Sequence, residues 1–476
     1  MNRRKFIQKS ALAGAAMAAV KPWQNVMGAN EEIRVAVVGF RSRGRNHIQG
    51  FSALKGVRVT ALCDVDTDVL EKEAAEFEKN GQKVKTTQNY RDLLTDKDID
   101  VISIATPNHT HAIIAIEAIQ AGKDVYVEKP VSHNVFEGRK IVEAARKYKR
   151  IVQTGTQSRS NPGMQEAVQY LQEGNLGRIK VARGLCYKRR KSIGKVEKPT
   201  EISRSIDYNL WSGPAPIVPL MRGKLHYDWH WDFLTGNGDL GNQGIHQMDI
   251  ARWILQENAL SPEVFSLGGR FGYVDDGNTP NTQIVYHNYS KAPLIFEVRG
   301  LGRWADNDDR PTWLGASIGV ITECEGGYMV MPTYDSGTAY DKSGKVIRKF
   351  KGGGDHFANF IKAVKSRKVS DLNADILEGH LSSALCHTGN ISYLVGSNQA
   401  PGQVTEELKS NPVAVESIGR MFEHLQVNDI DLNKTQITMG QYLHMDPATE
   451  KFTNSKEANQ LLKREYRKPF VIGDEV

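Results

Sequence analysis

Glu32–His47 reads EIRVAVVGFRSRGRNH, and its order decides the fold: a short β-branched run, a glycine, then a stretch of helical character. Gly39 and Gly44 fill the first and third places of the G-x-G-x-x-G fingerprint with which a strand-turn-helix unit cradles a pyrophosphate. Arg41 holds the second place, where glycine normally lets backbone approach closely. Alone, this loop is a weak marker. The next run strengthens it: Val57–Cys63 (VRVTALC) ends at Asp64, twenty residues past Gly44, where a carboxylate accepts hydrogen bonds from adenosine ribose hydroxyls and repels a 2′-phosphate. The expected cofactor is NAD, with NADP the lesser alternative because of Arg41 and Arg43.

Further on, Val101–Ala105 (VISIA) and Asp124–Val127 (DVYV) read as buried parallel strands separated by a helical segment, His111–Ala121. Strands alternating with helices predict a doubly wound parallel sheet, an α/β Rossmann domain over residues 32–155. Ligands of such sheets lie at the carboxyl ends of the strands, where this chain carries Thr106-Pro107-Asn108 and Glu128-Lys129-Pro130. The expected cofactor contacts are Gly39, Arg41, Ser42, Arg43, Gly44, Asp64, Thr106, Asn108, His111, Glu128 and Lys129.

The combination of RVAVVG, CDVD, ATPNHTH and VYVEKP, followed by GNQGIHQMDIARW and DLNADILEGHLSSALCHTGNISYLVG, resembles the Gfo/Idh/MocA family of NAD(P)-dependent sugar oxidoreductases. The resemblance covers most of the chain from about residue 32. Oxidising a sugar hydroxyl sends a hydride from carbon to a nicotinamide and a proton from oxygen to a base. The resemblance implies that the EKP lysine, Lys129, is that acid/base; burial beside a positive ring lowers a lysine pKa toward the working range. Related chains carry Asp-x-x-x-His on a helix of the second domain. Here Asn242 stands in the acid's place and His246 in the histidine's.

Asparagine cannot take a proton, so Asn242 is expected to orient a hydroxyl or cap the helix, leaving proton transfer to Lys129 and His246. Asp249, three residues on, is expected to hold the His246 imidazole. The alternative for His246 is a satisfied core histidine. Upstream, Lys224–Phe233 (KLHYDWHWDF) is dense in aromatics and imidazoles suited to stacking on sugar rings, and His230 and Trp231 are taken as substrate contacts together with Asn242, His246 and Asp249. A packed aromatic loop is the plain alternative. A metal site at His226, His230 and His246 is set aside for lack of a supporting ligand pattern, so no metal is expected.

Residues 156–476 are expected to form an α+β domain for substrate binding and oligomerisation. Its runs Arg178–Lys188, Glu263–Tyr273, Thr282–Tyr289, Pro293–Arg299, Ala316–Glu323 and Gly327–Thr333 read as a large open, mostly antiparallel sheet. The family resemblance implies a homo-oligomer through that sheet. Late helices near His356–Lys368 and Asp375–Val395, carrying His380, His387 and Asn390, are expected to return toward the first domain. The basic run Lys188–Lys191 reads as a solvated loop, and the last seventy residues as a helix followed by an extended tail.

The first thirty residues contain Arg3-Arg4-Lys5-Phe6-Ile7 and an apolar run Ala11–Val20 too short to span a bilayer. Residues 1–30 resemble a twin-arginine (Tat) signal, which implies export by the Tat machinery to the periplasm, with a retained membrane anchor as the alternative. The formal charge is +7, but without the five basic residues of that segment the balance is 57 basic against 55 acidic, which removes the main support for a nucleic-acid partner. Four cysteines far apart, with no CxxC spacing, point to buried thiols.

The expectation is an exported NAD-dependent oxidoreductase acting on a hydroxyl of a sugar or glycoside, with NAD held tightly. An NAD-dependent glycosidase that oxidises, eliminates and reduces is the enzymatic rival. A non-catalytic sugar and NAD binding protein is the rival of another class.

Overall fold

The computed structural model describes residues 32–476. The export-type segment lies outside the described residues.

A six-stranded sheet runs in the order β3-β2-β1-β4-β5-β6. Its strands are β1 (Ile33–Val38), β2 (Val57–Cys63), β3 (Lys85–Thr87), β4 (Val101–Ile104), β5 (Asp124–Val127) and β6 (Val152–Thr154), all paired in parallel. Its helices are α1 (Arg43–Ser52), α2 (Thr67–Lys79), α3 (Asn108–Gln120) and α4 (Val135–Lys147). Helices cover both faces of the sheet, which is why β4 and β5 are buried at every position rather than at alternate ones. Asp66 and Asn134 cap α2 and α4 by accepting from backbone N–H groups of the first turn. Strand order reverses between β1 and β4, opening a crevice at their carboxyl ends.

The second sheet is twelve-stranded and mostly antiparallel. The six strands expected from sequence are all present: β7 (Ile179–Tyr187), β8 (Glu263–Gly269), β9 (Thr282–His287), β10 (Leu294–Arg299), β11 (Ile318–Cys324) and β12 (Gly327–Met331). Only β7 and β10 pair in parallel. The sheet then extends at both ends. A hairpin, β13 (Ser336–Asp341) and β14 (Val346–Lys351), adds one edge, while β15 (Ser397–Gln399), β16 (Ile437–Met439), β17 (Leu443–Asp446) and β18 (Lys451–Phe452) add the other. The hairpin escapes a hydrophobic pattern search because β14, VIRKFK, buries only Phe350; its exposed Arg348 and Lys349 suit a strand that must not pair further.

Helices α5 (Pro162–Gln172), α6 (Ile245–Leu255) and α8 (Ile376–Leu394) cover one face of this sheet in a shared core. The late helix α7 (His356–Ser366) instead joins the first domain, where Phe360 and Ile361 pack with Val35, Phe40 and Phe51. The last two long helices, α9 (Pro401–Leu408) and α10 (Pro412–Gln426), cover the other sheet face over β8, β9 and β10 through Ile418, Met421 and Leu425. The four cysteines are free and buried. Among the described residues no helix is long and apolar enough to cross a membrane.

Two sequence expectations need correction. Arg190 does not belong to a solvated basic loop: it is 8% exposed because its guanidinium pairs with buried Asp239 and lies over the Trp231 ring. The C-terminal tail is not merely extended; it turns back and places Phe470 and Ile472 in the core of the first domain.

Candidate active site

A cavity of about 570 Å³ runs from the β1–α1 turn to the start of α6. At one end the two retained glycines explain themselves. Gly39 has φ +77°, and a Cβ there would lie 2.7 Å from the Thr106 side chain; a Cβ on Gly44 would lie 2.0 Å from the Gly39 carbonyl oxygen. The first permits the turn and the third lets α1 close against β1. Arg41, in the place of the second glycine, is exposed at the cavity wall. The N-terminus of α1 carries no side-chain cap and no acidic residue in its first turn; Arg45 N–H donates to the Ser42 carbonyl at 3.1 Å, which leaves the Arg43 and Gly44 N–H groups for an anion.

Asp64 closes this end. One carboxylate oxygen accepts from Phe40 N–H at 3.1 Å and the other from Asp66 N–H at 3.2 Å, which holds the group in place with acceptor capacity to spare. Burial pushes its pKa up to about 6. A strand-end carboxylate, a glycine cradle and an uncapped helix N-terminus together fit a dinucleotide.

The middle of the cavity is organised by Glu128, which is 3% exposed. Its carboxylate accepts from Arg43 Nε at 2.8 Å and Gln157 Nε2 at 3.1 Å, and pairs with His47 Nε2 at 3.1 Å. Burial works against the carboxylate, but the His47 hydrogen bond and the Arg43 charge hold it well below the usual range. Gly155 makes room, since a Cβ there would come within 2.8 Å of the Glu128 carboxyl. The His111 ring lies between the Pro130 and Thr106 carbonyl oxygens, 2.7 and 2.6 Å from its two nitrogens; burial lowers its pKa, and the neutral ring donates its single N–H to one of them. Asn108 Nδ2 donates to Asn237 Oδ1 at 3.3 Å, joining the two domains.

Lys129 follows Glu128 just past the end of β5, with a cis bond to Pro130, and its side chain reaches the second domain. Its Nζ donates to the Asn242 carbonyl oxygen at 2.7 Å. Loss of hydration lowers its pKa; Glu128 opposes that shift and Arg43 adds to it. Asn242 lies in a π-helical turn, Leu240–Gly244, that leads directly into α6. Such turns widen the helix locally and recur at functional sites. Asn242 does not cap α6: Gly244 occupies that position, without a side-chain bond.

His246, in the first turn of α6, lies against the Tyr334 ring with centroids 4.9 Å apart. Burial and then the Lys129 charge lower its pKa to about 3, so it is neutral across the working range. His230 is also neutral, pushed down to about 3 by burial. Its Nδ1 donates to the Tyr227 carbonyl at 2.5 Å, which leaves Nε2 as an acceptor. The His230 ring stacks on Trp229 at 3.6 Å, and both side chains line the cavity.

The structure thus brings Gly39, Arg41, Ser42, Arg43, Asp64, Thr106, Asn108, His111, Glu128, Lys129, His230, Asn242 and His246 to one cavity, with Gly44 directly behind the turn. Two expected contacts are not there. Asp249, 1% exposed, does not hold His246: its carboxylate accepts from Arg159 Nε and Nη2 and from Ser382 Oγ, and a buried guanidinium outcompetes a neutral imidazole for a carboxylate. Trp231 is buried under Arg190 and does not line the cavity. His380, His387 and Asn390 lie behind the site, bonded to Glu450, Ser132 and the Asn237 carbonyl. Among the described residues, no three His, Cys, Asp or Glu side chains cluster as a metal site requires.

Several lining residues carried no sequence signal. Tyr334, 39% exposed, reaches the site from the β12–β13 connection, and its hydroxyl accepts from Gln243 and Gln247. Gln157, Trp211 and Phe470 also line the cavity. Each comes from a segment with no periodicity or motif, so only the path of the chain reveals it.

A doubly wound parallel sheet with this glycine turn and strand-end acid, joined to a mostly antiparallel sheet, defines a two-domain dinucleotide-binding oxidoreductase fold. Residues 33–156 match the oxidoreductase family model for the NAD-binding Rossmann fold, and residues 174–289 match that for the C-terminal alpha/beta domain. The chain belongs to the Gfo/Idh/MocA oxidoreductase family, and its first domain is an NAD-binding one.

The chain is 30% identical over 157 residues to inositol 2-dehydrogenase of Salmonella typhimurium, which covers 33% of this chain and 46% of that protein. It is 32% identical over 169 residues to a glycosyl hydrolase family 109 protein of Shewanella pealeana, covering 30% and 37%. The matches therefore span under half the length of these relatives. Among solved structures, levoglucosan dehydrogenase in complex with NADH superposes with a TM-score of 0.55 at 19% identity, covering 75% of this chain and 95% of that one. The Bordetella pertussis WlbA dehydrogenase in complex with NADH and UDP-GlcNAcA does so with 0.54 at 18%, covering 74% and 94%. Likeness at this identity speaks for the fold alone.

Proposed function

We propose that the protein is an exported NAD-dependent oxidoreductase that acts on a hydroxyl of a sugar or glycoside, with Lys129 as the acid/base. The observation that carries this reading is the placement of the Lys129 ammonium, with lowered pKa, on the Asn242 carbonyl in the same cavity as the dinucleotide turn. When bound, NAD supplies the hydride acceptor. Gly39, the α1 N-terminus, Asp64 and Thr106 would hold it.

In the oxidation direction the neutral Lys129 amine takes the hydroxyl proton as the carbon loses its hydride. In reduction the ammonium returns it. The Asn242 carbonyl accepts one Nζ hydrogen and so aims the lone pair. His246 and His230, neutral and without a charge to give, hold neighbouring hydroxyls by hydrogen bonds, while Trp229 and Tyr334 offer ring faces to the pyranose. Sugar-dependent formation of NADH by the purified protein, lost in Lys129→Ala, is the expected result. Normal turnover in that variant overturns the mechanism, and absence of sugar oxidation in the wild type favours the reading as a non-catalytic binding protein.

The glycosidase reading has its own support in the matched segment of the family 109 protein and in two imidazoles that can serve hydroxyls beside the oxidised carbon. Release of free sugar from a glycoside without added NAD is the outcome that selects it; stoichiometric NADH with an intact glycosidic bond rejects it. Export through residues 1–30 is tested by fractionating cells that express the chain with Arg3 and Arg4 replaced by Lys, which is expected to leave it in the cytoplasm.

A further inference from the structure

We infer that the C-terminal tail completes the cofactor site, with Phe470 forming the outer wall of its adenosine end. Position along the cavity carries the first step. Asp64, at the end of β2, faces the adenosine ribose in this fold, so the base must lie beyond it. In the sheet β3 flanks β2 on that side, Gln88 and Tyr90 just past it line the cavity, and Arg91 lies over the Phe470 ring; the apolar lining of the cavity includes Phe470 from the tail, Ile113 and Ile114 from α3, and Leu210 and Trp211 from the second domain. A purine face between aliphatic and aromatic side chains is a favourable stack.

The second step is how the tail is fastened. Arg467 clamps the segment that carries Trp211: Nη1 donates to Asn209 Oδ1 at 2.7 Å, Nη2 to the Asn209 and Gly213 carbonyls at 2.8 Å each, and Nε to the Ala215 carbonyl at 3.1 Å. Phe470, 2% exposed, sits between two guanidinium groups, with Arg91 4.7 Å and Arg467 5.1 Å from its ring centroid. Arg91 also donates to the Pro469 carbonyl at 3.2 Å, and Glu117 fixes it from the other side. The tail therefore straps the Trp211 segment to the first domain across the end where adenine would lie. Release of the dinucleotide requires this strap to open, so the site retains NAD.

The inference rests on the NAD site and not on any sugar chemistry. The experiment follows release of bound NADH by fluorescence after mixing with excess NAD, and affinity for ADP-ribose by titration calorimetry, in the full chain, F470A and R467A. Both variants are expected to release NADH at least tenfold faster and to bind ADP-ribose more weakly by a similar factor, since both ligands share the adenosine end. R467A cuts the clamp at a partly exposed position and serves if F470A fails to fold. Wild-type release from a folded R467A, or weaker NAD binding with unchanged ADP-ribose binding, overturns the proposal. A wild-type chain that binds neither ligand overturns it together with the cofactor assignment. Loss of sugar oxidation with both readouts as expected touches only the proposed function.

Discussion

At the dinucleotide end of the cavity, Gly39, Asp64 and Thr106 follow the ends of the neighbouring strands β1, β2 and β4 of one parallel sheet, whereas at the other end Lys129, His230, Asn242 and Tyr334 arrive from separate segments of both domains. The first end is defined by backbone: a left-handed turn, free helix N–H groups and one carboxylate. The second is defined by side chains whose charge states depend on neighbours. A site of the first kind recognises a ligand common to a whole fold, while one of the second kind can change its ligand by altering a few residues.

Lys129→Met tests this contrast with the largest effect. Turnover is expected to fall by about 10²–10⁴-fold while NAD affinity, measured by titration, stays within about threefold of the wild type. A parallel loss of NAD binding breaks the separation of the two ends. Next comes the acid at the other end. Only the ionised Asp64 offers both oxygens as charged acceptors to the ribose hydroxyls, and its pKa is raised to about 6. NAD affinity should therefore be pH-independent above that value and weaken by up to roughly tenfold per pH unit below it; Asp64→Asn is expected to flatten this limb and to narrow the preference for NAD over NADP.

His246→Gln sharpens the comparison further. Since burial lowers the His246 pKa to about 3, the ring stays neutral and does not titrate near neutral pH, and the variant should lose about tenfold or less in kcat/KM with an unchanged pH profile. The wild-type oxidation rate should rise with pH through one ionisation below the ordinary lysine range, because only the neutral amine of Lys129 accepts a proton. Disappearance of that limb in His246→Gln would assign it to the imidazole instead. The smallest effect belongs to Tyr334→Phe, which removes the hydroxyl shared by Gln243 and Gln247. A rise in KM of severalfold, equivalent to about 0.5–1.5 kcal/mol, with kcat retained, places Tyr334 in substrate orientation.

The parallel strands were legible because each is a short apolar run ending in polar residues at a known distance from the glycine turn. The six long strands of the second sheet were legible for the same reason. The β13–β14 hairpin was not, since an edge strand such as VIRKFK is selected for charge rather than for burial. Helical spacing placed Asp249 beside His246 but said nothing of Arg159, which reaches Asp249 from before α5. The run Lys188–Lys191 resembled a solvated loop because nothing near it in the chain announces Asp239 as a partner for Arg190.

By itself the sequence determined the doubly wound first domain, the mostly antiparallel second sheet, and the residue types available for chemistry, because apolar periodicity and turn residues act over short stretches of chain. Tertiary structure alone decided which carboxylate each arginine holds, that Lys129 meets the Asn242 carbonyl, that His246 and His230 are neutral, and that Phe470 returns to line the cofactor cavity. Hydrogen bonds and desolvation depend on what lies across the gap, and the groups facing each other there are far apart in the chain.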